Sequence, residues 1–578
     1  MAHAWGAAEA PVGLTDYGAY VVLSNGIVSI QIKKDDATIH QMTLNDSPNL
    51  AGRGAYFAVA NSVGKDSGDI RQGDYHVVRQ TPDLVEISIG APVGGVYFTI
   101  YYAMLRGSSG FYVYTLEESV PGIPEHVGQA RWSFYLNNSL FNYHLASDTE
   151  QGPIPNLAGS TVVQDATNRL ANGTVYTKYN YCTYWEEDYV HGLCGSKPGS
   201  YGVFIITASH DYLQPPTKQE ITVHAGPIIH AIIQSGHFEP RDLAGQKIPN
   251  SWTKLFGPWF VYLNRGNSPK EIWDDAKAQS TKERKQWPYA WMVHPEYPLK
   301  RGEVTGTLKL YDGQRPAANA LMILTAPKPD WQLQVLNYVF SARADANGKF
   351  TLPAVRPGNY TLFAAVPGVT DQFSRANVKV AAGQTLDLGD ITFNPTLHSL
   401  RLWQIGTADL RATGFKLSDQ PRQYGLSEKV PANLTYVIGK SRPEQDWYYL
   451  QPPGTWTVEF KMDKKYVGEG VLTLGIAGQT NNPNLRVRVN DTSVGSYTGL
   501  NSSAGYRSAI LGGSFWEEKV IRFPTSDLRV GTNRITFTLL WTASTGVTNV
   551  ASTPSIMYDV VKLDLDVPTM PKVPPPPD

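Results

Sequence analysis

The stretch AYVVLSNGIVSIQIKK, residues 19–34, decides the fold class. Its apolar residues form two short runs that Asn25 and Gly26 separate. Similar runs recur further along the chain, among them GVYFTIYYAML, ARWSFYLN, YGVFIITA and WFVYLNRG, with Gly, Asn, Asp and Pro between them. Short apolar runs bounded by turn residues are typical of β-strands. Their spacing predicts a sandwich of antiparallel sheets from about Thr15 to Trp291.

One helix is predicted in this region, in the sequence SPKEIWDDAKAQSTKERKQW. Ser268 is suited to cap it and Pro269 to occupy its first turn. Ile272 and Ala276 fall on one face of this helix. The helix should end before Pro288.

A chain of 578 residues is too long for one hydrophobic core, so several domains are expected. A change in composition near residue 300 precedes about 95 residues with about seven predicted strands, the size of a fibronectin-III-like sandwich. The next block has the alternating strands of a jelly roll of the carbohydrate-binding type. We therefore predict an all-β protein with a large N-terminal β-sandwich (a supersandwich, residues 1–299), a fibronectin-III-like domain (300–394), a jelly-roll carbohydrate-binding-like domain (395–567) and a Pro-rich tail (568–578).

Net charge and composition bear on whether the protein binds nucleic acid, membranes or sugars. The formal net charge is −1, so electrostatics gives no argument for nucleic acid or a membrane surface as a partner. No run of 18 apolar residues is present to span a bilayer. Aromatic residues make up 11% and charged residues 17%, which suits an extracellular protein that handles sugars, although strands alone also favour aromatic residues. The start, MAHAWGAAEAP, lacks an apolar signal core, and we interpret it as a mature form with a new Met1.

The stretch YTKYNYCTYWEEDYVHGLCG, residues 176–195, concentrates ionisable and aromatic groups. Alternation predicts a strand with Tyr176, Lys178 and Asn180 on one face and Tyr179 and Tyr181 on the other. A lysine among tyrosines is often a side chain that packs its stem on apolar surface. The alternative is a desolvated lysine with a lowered pKa, which can act as a base.

The two cysteines of the chain, Cys182 and Cys194, lie in this stretch. They predict one disulfide that closes a 13-residue ring and fixes the loop inside it, with two buried thiols as the alternative. The spacing of histidines 224, 230 and 237 and the absence of HExxH argue against metal catalysis. We expect no cofactor, and a structural calcium ion in the outer domains remains open. Trp403 and Trp447 are interpreted as core residues rather than sugar-stacking platforms.

The segments TKYNYC, YVHG, QSGH, GPWFVYLN and QWPYAW together resemble polysaccharide lyase family 4, the rhamnogalacturonan lyases. The likeness continues through RGEVTGTLKLYD, VRPGNYTLFAAVPG, LWQIGTADLRATGF and IMYDVVKLDLD, and it covers roughly residues 15 to 568 in order. The resemblance implies β-elimination at the rhamnose–galacturonate bond of rhamnogalacturonan I. It also implies a secreted enzyme, and we expect a monomer.

Matched to the family pattern, Lys178 is the implied base, His237 the acid toward the leaving rhamnosyl oxygen, and Arg131 the clamp for the substrate carboxylate. The roles of Lys178 and His237 could be exchanged. A lysine base must be neutral, so its pKa of about 10.4 has to fall, and a nearby arginine and a desolvated cleft both act in that direction.

The chain departs from the family pattern before the implied histidine, where fungal members carry Tyr-x-Tyr and this sequence has His230 and Ile232. Either His230 or the pair Tyr179 and Tyr181 would then contact substrate. His191 in the YVHG motif is either structural or substrate-lining. Two other functions stay open: a non-catalytic pectin-binding protein with a decayed lyase domain, and a lyase for another uronate polymer.

Overall fold

The computed structural model describes residues 10–61, 65–68, 70–93, 95–122, 127–164, 167–178, 189–213, 216, 222–235, 248–418, 424–499, 515–541 and 553–575. The fold is all-β with three domains, as the sequence predicts. The sheets lie within Gly13–Gly266, Gly302–Phe393 and Leu400–Asp566.

The N-terminal domain is a stack of two large sheets with a small third sheet. Its strands are β1 (Gly13–Asp16), β2 (Tyr20–Ser24), β3 (Val28–Lys33), β4 (Ile39–Leu44), β5 (Ala51–Asn61), β6 (Lys65–Gly68), β7 (Asp74–Gln80), β8 (Leu84–Val93), β9 (Val96–Leu105), β10 (Gly110–Ser119), β11 (Val127–Leu136), β12 (Tyr143–Leu145), β13 (Gln151–Pro153), β14 (Thr161–Gln164), β15 (Thr167–Arg169), β16 (Val175–Thr177), β17 (Val190–Cys194), β18 (Ser200–Thr207), β19 (Val223–His224), β20 (Ile228–Ser235) and β21 (Thr253–Gly266).

Among the described residues, the first sheet has the order β1-β2-β3-β4-β5-β11-β20-β19, with β6 beside β5. The second has the order β13-β12-β17-β18-β21-β10-β9-β8-β7, and β14-β15-β16 form the small sheet. One core fills the space between the large sheets, and Trp132 of β11 meets Trp259 of β21 there, with ring centroids 6.2 Å apart. The stretch of residues 19–34 forms the antiparallel strands β2 and β3, as predicted.

Helix α1 (Pro269–Gln286) covers the outer face of the second sheet. The Ser268 hydroxyl accepts a hydrogen bond from the Glu271 amide at 3.2 Å, and Pro269 occupies the first turn. Ile272 and Ala276 are buried against the sheet. The predicted helix, its cap and the shared face of Ile272 and Ala276 are therefore confirmed.

The middle domain packs two four-stranded sheets face to face. Its strands are β22 (Gly302–Leu310), β23 (Arg315–Pro316), β24 (Leu321–Thr325), β25 (Val339–Arg343), β26 (Lys349–Val355), β27 (Gly358–Ala365), β28 (Gln372–Val380) and β29 (Thr385–Phe393), with a 3-10 helix at Trp331–Leu333. One sheet has the order β23-β22-β26 with β29 parallel to β22, and the other has the order β25-β24-β27-β28. The middle domain therefore has eight strands, whereas the sequence predicts about seven. The additional strand is β23, which is two residues long.

The third domain also has two sheets. Its elements are β30 (Leu400–Gly406), β31 (Leu434–Val437), β32 (Gly454–Met462), β33 (Glu469–Thr480), β34 (Asn484–Val489), β35 (Thr492–Thr498), β36 (Glu517–Pro524), β37 (Gly531–Leu540) and β38 (Ser555–Asp566), helix α2 (Pro443–Asp446), and 3-10 helices at Tyr424–Lys429 and Thr525–Asp527. The described strands pair in the orders β30-β38-β33-β36 and β31-β32-β37-β34-β35. Trp403 and Trp447 are both buried in the core between these sheets, so their interpretation as core residues is confirmed.

A buried pair of ionisable groups lies inside the N-terminal domain, near the middle domain. Glu117 on β10 is paired in register with Lys254 on β21, and both side chains are almost completely buried. The Lys254 ammonium donates to the carbonyl oxygen of Asn337 in the middle domain at 3.2 Å. Burial raises the pKa of Glu117 to about 8, partly offset by the Lys254 charge, and burial lowers the pKa of Lys254 to about 7.

The stability of the Glu117→Gln variant relative to the unaltered protein is expected to increase as pH rises. Because the folded-state pKa of Glu117 lies above its ordinary value of 4.5, its contribution to stability is complete below pH 4.5 and lost as pH rises to about 8. Glutamine does not titrate, so the difference between the two proteins should reach a few kcal/mol, on the order of 1.4 kcal/mol per unit of pKa shift, between these limits. Urea denaturation at pH 5 and pH 8 measures it, and a difference that does not change with pH would contradict the argument.

Candidate active site

Arg131 lies on the outer face of the first large sheet, in the middle of β11. Ala130 and Trp132 point into the core between the sheets, so Arg131 and Ser133 point to the opposite side. The cross-strand neighbours of Arg131 are Ala58 on β5 and Ile232 on β20. The Arg131 side chain is half-buried, and among the described residues nothing accepts a hydrogen bond from its buried Nε. The side chain thus places a positive charge on this face, and guanidinium groups pair with carboxylates through charge-assisted hydrogen bonds.

Two histidines form a hydrogen-bonded support beside Arg131. His230 pairs in register with Ser133, and the Ser133 hydroxyl lies 2.8 Å from His230 Nδ1. His191 on β17 reaches the carbonyl oxygen of His230, with Nε2 at 2.7 Å. Burial lowers the pKa of His191 to about 4, so its ring is neutral near pH 7 and Nε2–H is the donor.

His191 and His230 are each about 3% exposed. Such burial favours a supporting role for both rings over direct contact with a substrate, and it favours the structural alternative for His191. Their assignment to substrate binding stays a prediction. The sequence interpretation missed Ser133, although its position two residues after Arg131 on a strand places the two side chains on one face.

Lys178 follows the last residue of β16 in the small three-stranded sheet. Thr177 pairs in register with Thr167 on β15, and their buried hydroxyl oxygens lie 2.9 Å apart. Lys178 is 5% exposed. The predicted strand ends earlier than expected, at Thr177, so Lys178 lies in a bend and not within an alternating strand. A buried lysine at the end of a short strand is consistent with either interpretation of this residue.

Several predicted site residues lie outside the described part of the chain: His237, Tyr179, Tyr181 and Cys182. Cys194 is described, and its thiol is free and buried. Burial raises the pKa of this thiol to about 12. The predicted disulfide is thus not seen at Cys194.

Potential metal sites, cavities and membrane-spanning helices in the described residues also bear on function. They contain no group of three or more His, Cys, Asp or Glu side chains able to hold a metal ion. A cavity of about 600 Å³ lies in the third domain, lined mainly by polar residues that include Arg401, Gln404, Asp409 and Glu444. None of the predicted site residues lines it. Of the helices in these residues, none combines the length and apolar character needed to cross a membrane.

Comparison with known proteins decides the family. Three family models match in chain order: the rhamnogalacturonate lyase family over residues 2–172, and polysaccharide lyase family 4 domain II over 314–388 and domain III over 401–563. The chain is 33% identical over 482 residues to a rhamnogalacturonate lyase of Dickeya dadantii, covering 80% of each protein. The chain belongs to the rhamnogalacturonate lyase family, polysaccharide lyase family 4.

Two relatives with lower identity are named as rhamnogalacturonate lyases B. A probable rhamnogalacturonate lyase B of Aspergillus flavus is 24% identical, with 96% of this chain and 97% of that protein covered. The rhamnogalacturonate lyase B of Emericella nidulans is 26% identical over 61% of this chain and 59% of its own length. The family models for domains II and III confirm the predicted fibronectin-III-like and carbohydrate-binding-like domains of this lyase.

Proposed function

We propose that this protein is a rhamnogalacturonan lyase that cleaves the rhamnose-(1→4)-galacturonate bond of the rhamnogalacturonan I backbone. The observation that carries the proposal is the 33% identity to the Dickeya lyase over 80% of both proteins. The half-buried Arg131 guanidinium on the outer face of the first sheet supports it, because the substrate is a polyanion. The product is a chain end with a 4,5-unsaturated galacturonate.

In this reaction a base removes the proton on carbon 5 of galacturonate. The electrons form the double bond between carbons 4 and 5, the bond from carbon 4 to the rhamnosyl oxygen breaks, and that oxygen receives a proton. The carbon 5 proton is weakly acidic, so the negative charge that develops toward the carboxylate needs stabilisation. The Arg131 guanidinium is suited to this through charge-assisted hydrogen bonds.

We assign Lys178 as the base and His237 as the acid, with exchanged roles as the alternative. Burial of Lys178 supports this choice, because a desolvated ammonium loses its proton more readily than one in water. Ser133, His230 and His191 then hold the strand β20 beside Arg131 through the contacts described above. Tyr179 and Tyr181 are proposed to contact the polymer.

Incubation with rhamnogalacturonan I is expected to produce a rise in ultraviolet absorbance from the unsaturated uronate. We expect the rate to survive exhaustive chelation, since Arg131 provides the positive charge and no cofactor is proposed. Loss of activity on chelation, restored by calcium, would contradict this. Reducing ends without a rise in absorbance would indicate a hydrolase instead.

Two controls separate the alternatives. A non-catalytic pectin-binding protein would be slowed in a gel that contains the polymer. It would give no rise in ultraviolet absorbance when incubated with the polymer. A lyase for another uronate polymer would act faster on homogalacturonan or alginate than on rhamnogalacturonan I. The first result would exclude the proposed activity, and the second would replace the proposed substrate.

We further propose that the enzyme is a secreted monomer that engages neither nucleic acid nor membranes, with a Cys182–Cys194 disulfide formed after export. The raised pKa of Cys194 disfavours its thiolate, so formation of this bond would have to precede burial. Thiol counting on denatured protein from the culture medium tests the bond: two free thiols would exclude it. Light scattering tests the monomer.

A further inference from the structure

The third domain contacts the small sheet that carries Lys178. Arg169 on β15 donates from Nη2 to the Glu428 carboxylate at 2.6 Å. Glu428 belongs to the 3-10 helix Tyr424–Lys429 of the third domain, and this helix lies against β16. The contact joins residues that are 259 positions apart in the chain.

Inside the small sheet, the paired strands β15 and β16 link this contact to Lys178. Arg169 pairs in register with Val175, the first residue of β16. Thr167 pairs with Thr177 at the other end of the same strand, and Lys178 follows at once. Small isolated sheets of short strands are marginally stable alone. An external contact on β15 and β16 therefore restrains the position of Lys178.

The third domain is itself fixed to the middle domain. The Gln332 side chain makes two hydrogen bonds to the backbone of Trp516, accepting from its amide at 2.7 Å and donating to its carbonyl oxygen at 3.1 Å. The Lys562 ammonium donates to the Thr370 hydroxyl at 2.9 Å. These contacts are buried, so the helix that carries Glu428 belongs to a firmly docked domain.

The loop of the middle domain that contains Gln332 also contacts the N-terminal domain. We call residues 326–338, between β24 and β25, the bridging loop. The Trp252 indole donates to the Leu336 carbonyl oxygen at 2.8 Å, and the Leu255 amide donates to the Tyr338 hydroxyl at 3.1 Å. The bridging loop thus connects the first and third domains, and the Arg169–Glu428 contact closes a ring of three domain contacts.

We infer that Arg169 and Glu428 are positioning residues for the lyase reaction, through which the third domain holds the sheet that presents Lys178. This inference rests on the proposed function and on Lys178 as a catalytic residue. It gives the third domain a role in turnover in addition to any role in carbohydrate binding.

The test compares Glu428→Ala, Arg169→Ala and the exchanged pair Arg169→Glu with Glu428→Arg in the full-length enzyme. Each single variant is expected to lower kcat about fivefold, the rate equivalent of about 1 kcal/mol, which is the upper end for an exposed ion pair. KM should change less than twofold, because neither residue is proposed to touch substrate. The exchanged pair should recover most of the lost kcat, which a purely steric defect would not allow.

Glu459→Ala is the matched control. Glu459 on β32 forms a partly exposed ion pair with Arg534 on β37 at 3.0 Å, and neither strand belongs to the small sheet. The same chemical change there should leave kcat unaltered. An equal loss of kcat in this control would overturn the inference, because loss of any ion pair in the third domain would then lower kcat.

Hydrogen exchange separates failure of the contact from failure of the proposed function. Amides of residues 161–178 should exchange faster in Glu428→Ala than in the unaltered enzyme, while amides of β9 and β10 stay unchanged. Unaltered exchange at 161–178 would overturn the contact, and faster exchange with normal kcat would overturn its role in positioning. If the unaltered enzyme lacks lyase activity, the proposed function fails, and the inference about catalysis fails with it.

Discussion

Replacing Lys178 by alanine is expected to lower kcat on rhamnogalacturonan I by about 10²–10⁴-fold, the usual contribution of a general base. KM should change little, because the substrate is held mainly through its carboxylate and the Arg131 guanidinium. Initial rates from ultraviolet absorbance, at substrate concentrations well above KM, measure the effect. A variant that keeps kcat within a few fold of the unaltered enzyme would exclude Lys178 as the base.

Because Lys178 is buried, loss of activity must be separated from loss of structure. The thermal midpoint of Lys178→Ala should stay close to that of the unaltered enzyme, and small primary amines added to the assay should restore part of the rate. Lys178→Arg should remain as inactive as the alanine variant, since a guanidinium does not lose its proton in proteins. Lys197→Ala removes an exposed lysine of the same domain and should be fully active.

Local patterns carried most of the fold prediction. The two apolar runs around Asn25 and Gly26 became adjacent strands, and the cap at Ser268 and the buried face of α1 appeared where the sequence placed them. These features depend on neighbours within a few residues, which a single sequence displays. The extra strand β23 was missed because two residues are too short for a visible alternation.

The candidate site was less predictable because its contacts join distant segments. Arg131 and Lys178 could be named from short motifs, but burial of Lys178 beyond the end of β16 contradicts simple alternation. The hydrogen bond between Ser133 and His230 joins residues 97 positions apart, and the Arg169–Glu428 contact joins residues 259 positions apart. Such pairs follow from sheet order and domain docking, and neither is encoded in residue spacing.

The second large effect is expected at the boundary between the first two domains, where replacing Asp211 by alanine should destabilise the protein by about 3–5 kcal/mol. Asp211 is buried and accepts hydrogen bonds from Arg301 at 2.9 Å and Arg356 at 3.2 Å, both on the middle domain. Removing the carboxylate leaves two buried guanidinium groups without their counter-charge. Chemical denaturation, followed by tryptophan fluorescence, measures the loss.

The exposed pair Lys309–Asp390, at 2.6 Å, provides the control: Asp390→Ala should cost at most about 1 kcal/mol. A comparable loss in both variants would show that burial is not the cause.

The pH dependence gives an independent check on the Asp211 cluster. Burial alone would raise the pKa of Asp211, but the charges and hydrogen bonds of Arg301 and Arg356 outweigh it and hold that pKa below its ordinary value of 3.8. The stability from this carboxylate is therefore present above pH 3.8 and is lost as pH falls through the lower folded-state value. The difference between the unaltered protein and Asp211→Ala should shrink in strong acid and stay constant between pH 5 and pH 7.

Replacing both arginines by neutral residues as well should recover part of the lost stability. The attraction between the buried charges is offset by the cost of removing those charges from water, and this cost disappears when all three groups are replaced. The variant with Asp211→Ala, Arg301→Met and Arg356→Met is expected to be more stable than Asp211→Ala alone. Recovery should be incomplete, since the Arg356 guanidinium lies over the Tyr338 ring at 3.5 Å and Arg301 lies over the Trp287 ring at 4.4 Å. If the triple variant is instead less stable than the single one, ring contacts outweigh the uncompensated charge, and the cluster acts through packing.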